Sequence, residues 1–179
     1  SLHPDFTGFV SPSVNDDLAI ITLSRPLPDD IPVYTLSRAA IEAGTPIRMV
    51  GYGETGDGER GYEIGSGFFT TRRIGANAAD AFYTDDEGTR SVELWQFDFD
   101  APIGSGFLGG PTLGDHIEAT LGFGDSGGPG FIEGDEGLRL VSVNNYVSGP
   151  GEAGRFGSGG GGVLVSAYER WILEATSGE

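Results

Sequence analysis

The chain has 179 residues, enough for one ordinary domain or two small ones, and 37% of them are hydrophobic, which suffices for a packed core. Its net charge of −17 argues against nucleic acid and anionic membranes as partners, because phosphate-rich surfaces are bound by basic faces. The absence of cysteine excludes disulfide bonds and thiolate metal sites, and no apolar run approaches membrane-spanning length.

Short strand candidates separated by turn residues fill most of the chain. The first is Leu18 to Leu23, a nearly continuous apolar run that ends before Pro26 and predicts a buried strand. The Gly/Pro-rich stretch 102–114 predicts a loop, and residues 149–162 are mostly glycine, with a run of four at 159–162. Many short strands at turn spacing are typical of an all-β barrel or sandwich. The later candidates are 46–52, 68–74, 91–99, 130–132, 138–147 and 163–165.

One segment near the end of the sequence, about 166–176, has helical character. Ser166 is available as its N-cap. Four apolar side chains recur at helical spacing and predict one buried face. They are Ala167, Trp171, Ile172 and Ala175.

The strongest chemical motif is Gly124 to Pro129, which reads Gly-Asp-Ser-Gly-Gly-Pro. A serine that attacks a carbonyl needs an exposed hydroxyl on a tight turn, with backbone N–H groups aimed at the developing oxyanion. The flanking glycines permit unusual backbone angles and keep side chains out of the substrate's way. The pattern therefore indicates Ser126 as a nucleophile, and an ordinary glycine-rich turn is the alternative interpretation.

This hexapeptide resembles the nucleophile motif of the trypsin/chymotrypsin-like serine proteases, and the chain as a whole is similar to bacterial, cysteine-free members. The resemblance implies an all-β, chymotrypsin-like double β-barrel with a C-terminal α-helix. It also implies that the N–H groups of Gly124 and Ser126 form the oxyanion hole and that Asp125 pairs with an N-terminal ammonium. Weaker matches keep the family's order at His3–Phe6, Gly51–Gly53, Leu140–Gly149 and Ser166–Ile172.

Two aspartates compete for the role of the triad carboxylate, which must orient the histidine and stabilise its cation. The segment 15–20 resembles the family's Asn-Asp-Ile-Ala-Leu sequence. Asp17 stands directly before Leu18, as the family's aspartate stands before its strand, so the resemblance assigns Asp17. Asp16 is then an insertion or a shifted cap. The alternative is that both aspartates simply open a strand.

The general-base histidine has no match in the sequence. His3 lies too close to Asp17 and matches the family's His-Pro loop, and His116 is typical of an exposed loop residue. The family places its histidine well upstream of the aspartate. We therefore expect the chain to be the C-terminal part of a longer, secreted endopeptidase and to be inactive alone. In this interpretation residues 1–36 are the remainder of an incomplete first barrel, and 37–179 form the second.

The same resemblance predicts partners and substrate preference. An N-terminal fragment would supply the histidine, the substrates would be proteins or peptides, and no cofactor or metal is expected. Thr120 stands where trypsin-like enzymes carry the aspartate that selects Arg or Lys, and Val147 stands where they carry glycine. Together with Asn145 and Tyr146 these residues predict a pocket for small or medium apolar side chains, although Glu118 leaves a basic preference open.

The sequence leaves two rival functions open. A protease homologue that has lost catalysis would bind protein ligands through the same surface. An acidic calcium-binding module would use Asp85-Asp86-Glu87 or Asp98 and Asp100 as oxygen ligands, although the sequence holds no Asp-x-Asp-x-Asp-Gly loop.

Overall fold

The structure is a computed structural model that describes residues 1–8, 14–103, 106–114 and 116–177. Strands account for nearly all of the regular structure in these ranges, and a single helix follows the last strand. In chain order the elements are β1 (Thr35–Leu36), β2 (Pro46–Gly51), β3 (Gly56–Asp57), β4 (Gly61–Tyr62), β5 (Arg73–Ala78), β6 (Ala81–Thr84), β7 (Val92–Asp98), β8 (Pro129–Gly134), β9 (Gly137–Ser148), β10 (Gly159–Leu164) and α1 (Glu169–Thr176).

All the described strands except β3 and β4 belong to one sheet, which is antiparallel apart from one strand pair. Its strands follow the order β5-β2-β8-β9-β10-β7-β6, and β1 joins β9 as a parallel neighbour. The short strands β3 and β4 form a separate hairpin. The predicted all-β class with a C-terminal helix is therefore confirmed for the described residues.

The main core forms where strands from both ends of the sheet order meet. Strand β2 lies near one end of that order and β7 near the other, yet side chains from both pack into one cluster. The sheet therefore curves around this core. Its fully buried members include Ile47 and Met49 from β2, Trp95 and Phe97 from β7, Val141 from β9 and Leu164 from β10.

Strand β10 includes the glycine run 159–162, which was not among the strand candidates from the sequence. Gly161 and Gly162 pair with β7 on one side and β9 on the other. A Cβ atom on Gly161 would overlap the carbonyl oxygen of Trp95, and one on Gly162 would overlap that of Val143. The predicted strand began only at Val163 because tertiary packing, and not local propensity, places the glycine backbone in the middle of the sheet.

The predicted buried strand at 18–23 was also wrong. Leu18 is buried, but Ile21 is 82% exposed, and within the described ranges the only ladder contact of this segment is an isolated bridge between Ala19 and Leu2. Residues 21–23 have no backbone hydrogen bond in the described chain, so they lack both ladder partners and cover for their apolar side chains. The strand candidate at 68–74 lies too early in the chain, because regular pairing begins only at Arg73 in β5.

The N-terminal residues and the helix pack on the same part of the sheet. Leu18 forms a second core cluster with Leu94, Val163 and Tyr168, and Val14 packs against it. Ala167, Trp171 and Ile172 of the predicted helix face also contact this cluster.

Helix α1 begins at Glu169, three positions after the predicted N-cap Ser166. The residues before it form tight turns, in which the Tyr168 N–H donates to the Val165 carbonyl, and these turns bury the Tyr168 ring before the helix starts. No helix within the described ranges has the length and apolar character needed to cross a bilayer.

Candidate active site

The loop that carries Ser126 lies between Leu121 and the start of β8, and two backbone hydrogen bonds fix it to β9. The Gly127 N–H donates to the Asn144 carbonyl at 2.8 Å, and the Asn144 N–H donates to the Gly128 carbonyl at 2.8 Å. Gly124 and Gly127 adopt left-handed φ values of +96° and +80°, which explains the glycines on both sides of the serine. The loop holds Ser126 with its side chain exposed to solvent.

The Asp125 carboxylate is held by backbone amides. Its Oδ1 accepts from the Gly53 N–H at 2.7 Å, and its Oδ2 accepts from the Gly122 N–H at 2.8 Å. The ammonium of Ser1 donates instead to the Ile20 carbonyl at 2.7 Å, so the structure does not bring Asp125 and the N-terminus together.

Two glycines and a tyrosine surround the Asp125 carboxylate. A Cβ atom on Gly51 or Gly53 would collide with the carboxylate. The glycines at these two positions therefore let the Asp125 side chain approach the end of β2. Burial, followed by the charges of Asp125 and Glu54, raises the pKa of Tyr62 to about 12. Tyr62 therefore stays neutral near pH 7 and donates its hydroxyl proton to the Leu121 carbonyl.

The two N–H groups assigned to the oxyanion hole make no hydrogen bond inside the described ranges. Neither the Gly124 nor the Ser126 N–H is a donor in the backbone hydrogen bonds of the loop, whereas the N–H of Asp125 between them donates to the Gly122 carbonyl at 3.1 Å. The N–H groups of Gly124 and Ser126, which have no partner among the described residues, are therefore available to an anionic oxygen.

A pocket of about 230 Å³ lies beside Ser126. Three predicted residues line it, and Thr120 does not. Thr120 lines a neighbouring cavity of about 240 Å³, and its Oγ1 is buried without a hydrogen-bond partner among the described residues. The lining of the Ser126 pocket consists of Leu121, Phe123, Ser126, Asn145, Tyr146 and Val147.

Leu121 and Phe123 are pocket residues that the sequence reasoning missed. Both belong to the stretch directly before Gly124, so their nearness to Ser126 along the chain was an available signal. Leu121 is buried, whereas Phe123 is 60% exposed and packs edge-on against Tyr62 with ring centroids 5.2 Å apart. Together they give the pocket an apolar wall.

Glu118 has its carboxylate fully occupied inside the protein. Its oxygens accept from the Asp100 N–H at 3.0 Å, the Leu113 N–H at 2.7 Å and the Thr112 hydroxyl at 2.7 Å. Glu118 lines the neighbouring cavity and not the pocket of Ser126. No carboxylate of the described chain therefore faces the Ser126 pocket.

The two competing aspartates have different surroundings. Asp16 is buried, adopts φ +60°, and places Oδ1 3.0 Å from His3 Nδ1. Its N–H donates to the Tyr168 hydroxyl at 3.0 Å. Asp17 is half-buried, and no hydrogen bond or ion pair engages its carboxylate inside the described ranges. Burial raises the pKa of Asp17, because the ionised carboxylate is poorly solvated there. A cation beside Asp17 would stabilise the ionised carboxylate and would itself be stabilised by it.

The two histidines lie away from Ser126. The His3 ring packs edge-on between Tyr168 and Trp171, at centroid distances of 5.0 and 4.9 Å, and its Nδ1 faces Asp16. His116 is exposed in the loop before Glu118. Neither lines the pocket beside Ser126. The structure thus brings no described histidine to the predicted nucleophile.

Asn145 links the pocket to the segment that carries Asp17. It lines the Ser126 pocket, and its Nδ2 donates to the Val14 carbonyl at 2.9 Å. Val14 precedes the Asn15–Asp17 segment, and the side chain of Asn15 is itself fixed by Glu93 at 2.8 Å. The Asp17 segment is therefore tied to the edge of the Ser126 pocket through one side chain.

The acidic residues considered as calcium ligands are largely used within the fold. Asp85 accepts from the N–H groups of its own turn, Gly88, Arg90 and Ser91. Asp98 accepts from Leu108 and Gly109. Carboxylate oxygens of Asp16, Glu87 and Glu93 do lie within 4.8 Å of one another, and this set shares only Glu87 with the residues that the sequence indicated.

A scan of protein-family models finds none that matches the chain, and a search of curated proteins also finds no match.

Proposed function

We propose that the chain carries the nucleophile part of a serine endopeptidase site of the trypsin/chymotrypsin type. The observation that carries the proposal is the Ser126 loop: an exposed hydroxyl beside a pocket, with the Gly124 and Ser126 N–H groups free of partners among the described residues. Peptide hydrolysis through an acyl-enzyme needs this combination of nucleophile, oxyanion donors and room for a side chain. The proposal includes a chymotrypsin-like double barrel with an incomplete first barrel, and secretion of the enzyme.

Asp17 is proposed as the triad carboxylate and Asp16 as a structural residue. Asp16 already has a partner in His3, whereas the Asp17 carboxylate is half-buried and unpaired within the described ranges. An imidazolium beside Asp17 would offset the cost of burying this carboxylate. Asn145 holds the segment next to the pocket through Val14.

The general base is proposed to come from a separate polypeptide segment. Between residues 21 and 34 the only backbone hydrogen bond of the described chain joins the Ile31 N–H to the Pro28 carbonyl. The same stretch exposes apolar side chains at Ile21 (82%) and Val33 (88%). Backbone without ladder partners in the described chain, together with exposed apolar side chains, is a surface that another strand covers well. A β-rich partner docked there would lie beside Asp17 and could present a histidine.

The proposed substrate preference is a small or medium apolar residue before the scissile bond. Leu121, Tyr146 and Val147 line the pocket, and Glu118, the carboxylate that the sequence left open as a selective charge, is occupied elsewhere. An Arg or Lys side chain would enter this pocket without a compensating carboxylate, which is costly. Peptide-library profiling of the complete enzyme tests this, and a dominant Arg or Lys preference would contradict it.

Labelling by a fluorophosphonate probe, mapped by peptide mass spectrometry, tests the nucleophile. With imidazole added as a soluble base, Ser126 should react at least about tenfold faster than the exposed Ser24, because oxyanion donors accelerate attack only at Ser126. Ser126→Ala should lose this label and keep that on Ser24. Equal labelling of the two serines would favour the rival, a protease homologue that binds protein ligands without cutting.

The chain alone should cleave casein no faster than background, because loss of one triad member lowers the rate by several orders of magnitude. Robust cleavage that Ser126→Ala abolishes would contradict the external general base. In that case His3→Gln and His116→Gln would identify the histidine that acts.

A further inference from the structure

Leu121 lies between the two cavities near Ser126. Among the described residues it alone lines both the pocket of about 230 Å³ beside Ser126 and the neighbouring cavity of about 240 Å³. Its side chain reaches across to β10, because its Cδ1 would lie 3.3 Å from a Cβ atom on Gly160. The carbonyl oxygen of Tyr146, a residue of the opposite pocket wall, would lie 2.9 Å from the same Cβ atom. The Leu121 side chain therefore spans the pocket and forms a partition between the two cavities.

The position of the Leu121 side chain is fixed by its surroundings. The residue is 5% exposed and packs in the main core cluster together with Phe97. Its carbonyl oxygen accepts from the Tyr62 hydroxyl, and the next residue, Gly122, donates its N–H to the Asp125 carboxylate at 2.8 Å. Because both the side chain and the backbone are held, we expect Leu121 to keep this place when a ligand enters the pocket.

The cavity behind Leu121 has a negatively charged lining. Within the described ranges four acidic residues and one arginine contribute to it, and the acids are Glu54, Asp57, Glu118 and Asp125. The Arg73 guanidinium donates to backbone carbonyl oxygens, such as that of Gly53 at 3.0 Å, and pairs with no carboxylate of the described chain. Of the four acids only Asp57 forms an ion pair among the described residues, with Arg60 at 3.7 Å. The cavity therefore offers an excess of negative charge to a cation.

The pocket beside Ser126 has the opposite character. No carboxylate of the described chain lines it, and its wall at Leu121 and Phe123 is apolar. Thr120, directly before Leu121, lines only the acidic cavity, and its Oγ1 is buried with no partner among the described residues. An ammonium or guanidinium group can use such an oxygen as an acceptor. A cationic side chain is therefore matched by the acidic cavity and not by the pocket beside Ser126.

We propose that Leu121 determines the substrate preference of the Ser126 pocket, because its side chain shuts the pocket off from the acidic cavity. The pocket then takes small or medium apolar side chains. An Arg or Lys side chain in the same place would be buried without a carboxylate, which is costly. Leu121, and not Thr120, therefore decides against a basic side chain. The separation of the two cavities does not require Ser126 to react, whereas its effect on substrates rests on the proposed function.

Nuclear Overhauser effects from a small probe to methyl groups test the partition in the unmodified chain. Val147 lines only the Ser126 pocket and Thr120 only the acidic cavity, so their methyl groups report on the two spaces separately. We expect n-butanol to contact the Val147 methyl groups and to give no detectable effect at the Thr120 methyl group. Effects of similar strength at both residues would show that the two spaces are joined and would overturn the partition. This reading needs no variant and holds even where a substitution of the buried Leu121 prevents folding.

Replacing Leu121 by alanine should join the two cavities. The probe is n-butylammonium, which has the chain length and the charge of a lysine side chain. Its dissociation constant should fall at least about tenfold in Leu121→Ala, because the cation then reaches the carboxylates, and it should contact the Thr120 methyl group. Phe123→Ala, which enlarges only the Ser126 pocket, is the matched control and should change the constant by less than about twofold. An equal gain in both variants, or no gain in Leu121→Ala, would contradict the role of Leu121.

The consequence for substrates is measured by labelling Ser126 with peptidyl phosphonates, with imidazole as the soluble base. One phosphonate carries an n-butyl side chain and the other a 4-aminobutyl side chain. In the wild-type chain the uncharged probe should react at least about tenfold faster, and Leu121→Ala should lower this ratio at least about tenfold. Leu121→Met conserves the volume of the side chain and should keep the wild-type ratio.

The outcomes separate Leu121 from the proposed function. If Ser126 is labelled no faster than the exposed Ser24, the proposed function fails, and the n-butylammonium result still decides whether Leu121 divides the cavities. Rapid labelling of Ser126 with the same ratio in the wild-type chain and in Leu121→Ala would leave the proposed function intact and would overturn the role of Leu121 in substrate preference.

Discussion

Asp125 is the residue on which the geometry of the Ser126 loop depends most. Its carboxylate joins the loop to the end of β2 through the Gly53 N–H and closes the preceding turn through the Gly122 N–H. The Ser126 side chain is exposed and makes no comparable contact with the described part of the chain. The positions of the Gly124 and Ser126 N–H groups are therefore set by a neighbour of the serine.

Replacing Asp125 by alanine should lower the free energy of unfolding by about 3 kcal/mol, because two amides bonded to a charged acceptor lose their partner. Urea denaturation measures the change. Asp135→Ala, in an exposed turn, is the control and should change it by less than about 0.5 kcal/mol. Equal effects of the two variants would show that the Asp125 carboxylate does not hold the loop.

The sequence predicted the tight, glycine-flanked turn around Ser126, because turn chemistry is local; the role of Ser126 as a nucleophile stays a prediction. The sequence also separated Asp17 from Asp16 by its position before Leu18, although it gave no sign that Asp16 would meet His3 and Tyr168. The Gly53 contact to Asp125 could not be predicted from spacing, because no local pattern shows which distant amide faces a carboxylate.

Among the elements, β10 shows how packing overrides local propensity. Its glycines lie between β7 and β9, where the two neighbouring backbones approach too closely for side chains. The strands β2, β7, β8 and β9 were predictable because their apolar residues reach the core. The 18–23 segment has the same kind of apolar pattern but no neighbouring strand in the described chain, so pattern alone could not decide its structure.

Gly161→Ala should destabilise the protein by about 3 kcal/mol, since the added methyl group overlaps the Trp95 carbonyl oxygen and forces β7 and β10 apart. Gly65→Ala is the matched control: φ is +83° there and no atom lies within 4 Å of the added Cβ, so only backbone strain of about 1 kcal/mol is expected. Thermal unfolding of both variants tests this. A Gly161→Ala effect no larger than that of Gly65→Ala would contradict the central position of β10.

For the whole molecule, the dominant feature is negative charge that is partly buried. The net charge of −17 was evident from composition, but its distribution was not. Several carboxyl groups are drawn into the fold as acceptors for backbone amides, as Asp98 and Glu118 are for the loop 106–114. Composition predicts an acidic surface, whereas the burial of individual acids depends on which loops they hold.

The burial of these acids predicts that stability falls as the pH rises. Burial raises the pKa of Asp16, Asp17, Asp80 and Asp100, so the folded state keeps protons that the unfolded chain has already released. Their contribution is complete below about pH 4 and is lost as the pH rises through each folded-state value, which for Asp80 is about 7. The melting temperature at pH 5 should therefore exceed that at pH 8, at equal ionic strength. Asp80→Asn should reduce the difference, because the amide cannot ionise, whereas an equal or higher melting temperature at pH 8 in the wild-type chain would mean that these carboxyls are solvated in the folded protein.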